Sequence, residues 1–167
     1  MKEIYLVGKN GSVIGNYALV DDSDYDLVSN YRWNVRIIGG NIKGAYSWRN
    51  GKQLAMHRLI MNVEDPKIQV DHINGNTLNN QRSFLRLATN SQNQFNRIKT
   101  RGASSYKGVS RAYGTKWSAR IEVGDVRRWL GSFKSEEDAA LAYNEAAIKY
   151  HGEFARLNII DRHQKHI

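Results

Sequence analysis

An aspartate and a histidine stand side by side at positions 71 and 72, and two asparagines, Asn93 and Asn96, follow roughly twenty positions later. Carboxylate and carboxamide oxygens suit a hard divalent cation such as Mg2+ or Mn2+, which keeps coordination positions for water and phosphate. An imidazole beside such an ion, with an ordinary pKa near ~6.5, can take a proton from an attacking water. That is the chemistry of phosphodiester hydrolysis. It requires the acid-imidazole pair at the end of one strand to meet a carboxamide from a following helix, with the His72 ring reachable from solvent. The sequence supplies such elements. Val70 leads into Asp71-His72, the Asn- and Gly-rich run Ile73 to Asn76 turns the chain, Phe84 to Ala88 is a short apolar strand, and a polar helix carrying Asn93 and Asn96 follows. Taken alone, Asp-His followed by Asn-Gly is equally an ordinary hairpin turn.

The segment before this stretch reads as short strands. Ile4 to Val7 and Val13 to Val20 form a hairpin around Gly8-Lys9-Asn10-Gly11, and Trp33 to Ile38, Gly44 to Arg49 and Gln53 to Ile60 continue an antiparallel sheet with one covered face. Trp33, Tyr46 and Trp48 are its expected core. Asp21, Asp22, Asp24 and Asp26 read as a capped, solvated helical turn, since their spacing lacks the Gly-centred loop of a calcium site. Arg32, Arg36, Lys43, Arg49 and Lys52 either line a DNA-facing side or are scattered surface cations. His57 opens the run His-Arg-Leu on the last strand, where it either buttresses the reactive pair or packs as a structural ring.

The division expected is residues 1–97 for the first domain, a basic linker over 98–105 (Ile-Lys-Thr-Arg-Gly-Ala-Ser-Ser), a second domain over 106–160 and a tail over 161–167. In the second domain the strands Tyr106 to Tyr113, Lys116 to Val123 and Val126 to Phe133 form a meander. Ser135 then caps a helix with acids in its first turn, and Gly152 ends it. Ala140, Tyr143, Ala147 and Tyr150 recur at helical spacing and should lie on the sheet, Trp117 should pack under the helix, and His151 should cap the helix end. A sheet face carrying arginines and an aromatic can read guanine edges and pack on sugars. Two histidines in the tail are a weak metal signal.

Composition narrows the classes. The 167 residues carry a net charge of +9, 41% are hydrophobic, and there is no cysteine. Disulfides and Cys-ligated zinc are excluded, and a reducing, intracellular setting is expected. With no apolar run near the ~20 residues needed to cross a bilayer and no secretory signal, a membrane partner is not expected. The pI near 9.8 points to a polyanion. Basic residues among strand aromatics favour nucleic acid over a membrane surface.

The run Met56 to Asn93, with Met-His-Arg-Leu-Ile-Met, Val-Asp-His-Ile-Asn-Gly-Asn and Leu-Arg-Leu-Ala-Thr-Asn-Ser-Gln-Asn, resembles the HNH nuclease motif, a ββα-metal module of phage and intron homing endonucleases. The resemblance implies Asp71 and Asn93 as metal ligands, His72 as general base, Asn80 as a brace of the intervening loop, His57 and Asn96 as supporting residues, and hydrolysis to a 5′ phosphate. Two positions depart from the pattern: Asn79-Asn80 replaces Asp-Asn, and Phe84 stands where the motif has its middle Asn. Phe cannot make that residue's hydrogen bonds, so either Asn79 or Asn80 compensates or the site is weakened. Tyr106 to Asn158, with Tyr-Lys-Gly-Val, Lys-Trp-Ser-Ala-Arg-Ile, Trp-Leu-Gly-Ser-Phe and Gly-Glu-Phe-Ala-Arg-Leu-Asn, resembles the Apetala (ethylene-response-factor) type DNA-binding domain. It implies a sheet face in the major groove, with Lys107, Arg120, Arg127 and Trp129 at or near contact positions and Arg111 replacing a charge that Ser110 lacks.

The expected fold is α+β: a small antiparallel sheet with the ββα-metal module, a linker, and a three-stranded antiparallel sheet on one helix. The expected function is a site-preferring, homing-type DNA endonuclease acting on double-stranded DNA with Mg2+ or Mn2+, as monomer or homodimer, inside a prokaryotic or phage-infected cell. The alternatives are a sequence-specific DNA-binding protein with a decayed nuclease site and a protein acting on RNA.

Overall fold

The computed structural model describes residues 1–8, 13–97 and 102–160. It divides into two compact units, Met1–Asn90 and Ser91–Ile167. The division falls before the residue-97 boundary expected from sequence, so most of the polar helix belongs to the second unit. The expected tip of the first hairpin, the core of the linker and the histidine-bearing tail lie outside the described residues.

In the first unit β1 (Lys2–Val7), β2 (Val13–Val20), β3 (Asn34–Ile38), β4 (Asn41–Arg49) and β5 (Lys52–Ala55) form one sheet in the order β2-β1-β3-β4-β5. All neighbours are antiparallel except β1 and β3, which meet in parallel at Val7 and Asn34. Alternation puts Ile4, Leu6, Ala18, Val20 and Ala45 into the core. Helix α1 (Tyr25–Ser29) closes it with Val28, whose carbonyl accepts the indole N–H of buried Trp33 at 2.8 Å.

Three expectations fail here. Gln53 to Ile60 is not one strand: β5 ends at Ala55, and Met56–Ile60 is helix α2. Met56 and Ile60, four apart, are both buried, a helical spacing that the strand reading overlooked. Trp48 is no core residue but 67% exposed, on the opposite side of β4 from its buried neighbour Ser47. The acidic turn is not merely solvated either. Asp24 is buried and takes both the Nε and Nη2 of Arg82, at 2.9 and 2.7 Å, while the Asp21 carboxylate receives the Arg82 backbone N–H and the Gln81 side-chain amide. Those bonds tie residues 58 to 61 positions apart and anchor the chain just before the second motif strand.

That strand pair is β6 (Gln69–His72) and β7 (Leu85–Ala88), antiparallel, with Asp71 opposite Arg86 and His72 opposite Leu85. Val70 and Leu85 enter the same core as the five-stranded sheet, which fixes β6 in place and so the residues at its end. Phe84 is not a strand residue but ends a short 3-10 turn, Arg82–Phe84.

The second unit contains most of α3 (Asn90–Phe95), then β8 (Val109–Arg111), β9 (Trp117–Val123) and β10 (Val126–Phe133), antiparallel in the order β10-β9-β8, and the helix α4 (Glu136–His151). The Tyr106 to Tyr113 run yields only a three-residue strand, because Lys107 and its neighbours bond to the C-terminal segment instead. Ser135 accepts the Asp138 N–H at 3.0 Å in a side-chain cap. Ala139, Ala140, Tyr143, Ala146 and Ala147 pack on Val109, Trp117, Ala119 and Ile121, so small helix residues bring the helix close to the sheet. Gly108 is required by that approach. Its φ is +76°, and a Cβ there would lie 1.9 Å from the Tyr143 ring. Tyr150 does not join the buried stripe; it stays 37% exposed beside Arg128.

Candidate active site and nucleic-acid interface

At the end of β6, His72 is 7% exposed and Asp71 4%. Their burial contradicts the expectation of an imidazole open to solvent. Asn80, fully buried, faces His72 Nε2 with its Oδ1 at 3.3 Å while its Nδ2 donates to the Leu78 carbonyl at 3.2 Å. The second bond fixes which amide atom meets the ring. An oxygen there makes Nε2 the protonated nitrogen and puts the imidazole lone pair on Nδ1. Burial pushes the His72 pKa below the ordinary histidine value, against the opposing pull of the Asn80 bond and the Asp71 charge.

The loop that joins the strands holds together with Phe84 at the motif's Asn position. The Ile73 N–H donates to the Phe84 carbonyl at 2.9 Å, Gly75 N–H to the His72 carbonyl at 2.8 Å, and Gln81 N–H to the Asn79 side chain at 3.3 Å. Asn80 N–H reaches the Leu19 carbonyl at 2.7 Å, which pins the loop to the edge of the large sheet. Backbone groups and the two adjacent asparagines thus satisfy the turn.

His57, on α2 and not on a strand, stands edge-on to His72 with ring centroids 5.2 Å apart, and Tyr46 stands edge-on to His57 at 6.4 Å. Its Nδ1 is buried with no hydrogen-bond partner among the described residues. Burial, with smaller contributions from His72 and Arg58, lowers its pKa to about 3. His57 is thus a neutral ring wedged behind His72.

Arg86 is the site residue that sequence reasoning missed. Its Nε and Nη2 donate to Asp71 Oδ2 at 2.9 and 2.7 Å, and the two side chains are 12% and 5% exposed. The signal was present in the register, since aligning Leu85 to Ala88 antiparallel with Gln69 to His72 puts Arg86 across from Asp71. The structure brings together His57, Asp71, His72 and Asn80 in the first unit. Asn93, partly exposed on α3, and Asn96, buried just beyond its last turn, fall in the second.

Among the described residues no cluster of three or more His, Asp or Glu side chains can hold a metal ion. The two residues expected as donors, Asp71 and Asn93, offer one carboxylate and one carboxamide. Such a set fits a hard dication that takes most of its shell from water and phosphate, and it is unsuited to a structural zinc site.

In the second unit, the face of the sheet opposite α4 carries Arg120, Glu122, Arg127 and Trp129, all exposed, with Arg120 paired across the strands to Trp129 and Glu122 to Arg127. Arg127 donates to Glu122 at 2.7 and 3.1 Å in an exposed pair. Arg111 is not on this face, contrary to expectation: it stands across the strands from Trp117, over whose ring it lies at 4.1 Å, on the side of the sheet that α4 covers. Lys107 is not on this face as a loose cation. Its Nζ donates to the carbonyls of Gln94, Phe95 and Arg97, and burial lowers its pKa to about 8. His151 also departs from its expected capping role: its Nε2 meets the Glu122 carbonyl at 2.7 Å and its ring stacks on Phe95.

Comparison with known proteins finds two likenesses. Residues 55–95 match the model of the HNH endonuclease family. The chain is 36% identical over 152 residues to an uncharacterised HNH endonuclease of Acanthamoeba polyphaga mimivirus, covering 88% of this chain and 77% of that protein. The chain belongs to the HNH endonuclease family and is a nuclease of that class. A second likeness is to plant proteins. Dehydration-responsive element-binding protein 2C of Arabidopsis thaliana is 47% identical over 60 residues, and the ethylene-responsive transcription factor WRI1 of the same plant is 40% identical over 74. Those matches cover 35% and 40% of this chain but only 18% and 17% of the plant proteins. No helix among the described residues is long and apolar enough to cross a membrane.

Proposed function

We propose that the chain is a site-preferring endonuclease of double-stranded DNA, of homing type, in which the second unit supplies target affinity and the motif at Asp71-His72 supplies hydrolysis. The observation that carries the reading is the held imidazole beside a buried carboxylate. Asn80 Oδ1 meets His72 Nε2 and fixes the ring at the end of β6, next to Asp71. In this reading His72 takes the proton of the water that attacks phosphorus, and His57 keeps the ring from turning. By their positions in the motif, Asp71 and Asn93 would hold Mg2+ or Mn2+, which when bound stabilises charge on the departing 3′ oxygen. Arg86 holds the Asp71 carboxylate in one rotamer and offsets its charge. The outer sheet face supports DNA binding: Arg120 and Arg127 can pair with guanine edges or phosphates, and Trp129 can pack on sugar or thymine methyl groups.

A specific observation favours a second reading, a DNA-binding protein that no longer cuts: Phe84 replaces the motif Asn, and His72 is 7% exposed. Supercoiled plasmid incubated with protein and Mg2+ or Mn2+ separates the two. Nicking that is lost in His72→Ala supports the first reading, and its absence at any protein excess supports the second. Competition between duplex DNA and structured RNA tests the substrate, and mapping cuts in random-sequence DNA tests site preference.

A further inference from the structure

The short helix that bears Asn93 has little to hold it by itself. It spans six residues, Asn-Ser-Gln-Asn-Gln-Phe, with none of its side chains buried, and a helix of that length is marginal without tertiary support. Its C-terminal carbonyls lack intrahelical partners, as all such ends do. In the second unit Lys107 Nζ reaches this end of the helix: it donates to Phe95 O, to Arg97 O just beyond the helix at 2.8 Å and, more weakly, to Gln94 O at 3.5 Å, which also accepts the Arg97 N–H at 3.2 Å. An ammonium at this end also opposes the negative pole of the helix dipole.

Lys107 itself is fixed from the far side of its unit. Its backbone N–H donates to Asn158 Oδ1 at 2.6 Å, and its carbonyl accepts from Asn158 Nδ2 at 3.0 Å. Asn158 in turn exchanges two bonds with Asn144 on α4, its N–H donating to Asn144 Oδ1 at 2.8 Å and its carbonyl accepting from Asn144 Nδ2 at 2.9 Å. A second tether runs in parallel. The Phe95 ring stacks on His151 with centroids 3.8 Å apart and planes within 4°, and His151 is tied to the Glu122 carbonyl on β9.

We propose that Lys107 is a positioning residue for the nuclease: together with the Phe95–His151 stack it clamps the end of α3 onto the Apetala-type sheet domain, so that this domain also sets the helix bearing Asn93. This rests on the proposed role of Asn93. Its consequence is that the sheet domain is part of the cutting machinery, and that Lys107 acts on α3 and not as a phosphate contact.

The test uses the full chain with Lys107→Met, which removes the ammonium, and Phe95→Ala, which removes the stack without touching the sheet. Hydrogen exchange of the α3 amides is expected to quicken at least ~10-fold in both, with β9 and β10 amides unchanged, and this arm reads the clamp whether or not the wild type cuts. Duplex affinity without metal is expected to stay within about twofold, while half-saturating Mn2+ rises and the kcat for nicking drops about tenfold with KM kept. Unchanged α3 exchange overturns the clamp. Affinity falling in step with nicking overturns the positioning role and makes Lys107 a DNA contact. A wild type that does not nick, alongside the expected exchange, sinks the nuclease reading and leaves the clamp standing.

Discussion

Replacing Arg86 by methionine removes the guanidinium that faces Asp71. The two donors reach a single carboxylate oxygen at 2.9 and 2.7 Å, with the side chains 12% and 5% exposed. Water screens such a pair little, and removing one partner of a buried pair costs about 3–5 kcal/mol. In a unit of this size that lowers the unfolding midpoint by more than about 10 °C in EDTA. Adding Asp71→Asn to Arg86→Met removes both charges and should restore most of the loss, so a double-mutant cycle reads a coupling of several kcal/mol. Mn2+ supplies the third arm. If Asp71 faces the metal position, a dication substitutes for the missing guanidinium. The single variant then gains stability with added Mn2+ as RT ln(1 + [Mn2+]/Kd), about 2.7 kcal/mol at a hundredfold excess over Kd. The double variant gains less. Chemical denaturation at low temperature, followed by circular dichroism, measures all four proteins. A loss below about 1 kcal/mol in Arg86→Met would mean the pair is solvent-screened, as exposed pairs are. An equal Mn2+ gain in both variants would refute Asp71 as the metal-facing carboxylate.

Gly108→Ala forces a Cβ to within 1.9 Å of the Tyr143 ring and 2.7 Å of the Arg120 carbonyl at a positive φ, so the second unit should lose about 2–4 kcal/mol in denaturant titration. The lowered His57 pKa sets a pH dependence. The unfolded chain binds a proton near 6.5 that the folded chain refuses until about 3, so stability rises with pH across that window by at most ~1.4 kcal/mol per unit and is fully present above it. Unfolding of His57→Phe at several pH values should show a flatter slope than wild type; an identical slope would mean the ring is not held neutral. Trp129→Ala and Arg120→Ala should weaken duplex binding by about 1–3 kcal/mol each, whereas a variant of a phosphate-contacting arginine should reduce the salt slope by roughly one, as filter binding at several salt concentrations can resolve.

Local signals carried much of the architecture. The second unit was legible because each of its devices is local: Gly-Asp between two alternating strands, Ser135 three residues before an acid, and an alanine stripe ended by Gly152. Resemblance and spacing also located the Asp71-His72 element and its strand pair. The failures share a cause, which is that the deciding partner lies far along the chain. Met56 and Ile60 pack as a helix because the core of a distant sheet receives them, and Trp48 is outside because of the face its strand shows. Asp24 is buried because Arg82, fifty-eight positions on, arrives to pair with it. Arg86, Asn158 and Lys107 were opaque for the same reason. Nothing within a few residues of any of them announces a partner, although strand register could have matched Arg86 to Asp71. The burial of His72 was missed because a strand-end residue in a polar, Gly-rich sequence reads as surface.

In the proposed mechanism the shielded imidazole at the end of β6 accepts the proton of an attacking water. Single-turnover nicking of supercoiled plasmid under excess protein, with Mn2+, measured for wild type and His72→Ala at matched DNA occupancy, tests it most directly. Conversion to open circles by the wild type with at least a ~100-fold slower rate in the variant is the predicted result. Equal rates in the two proteins, or intact plasmid in both, would contradict it.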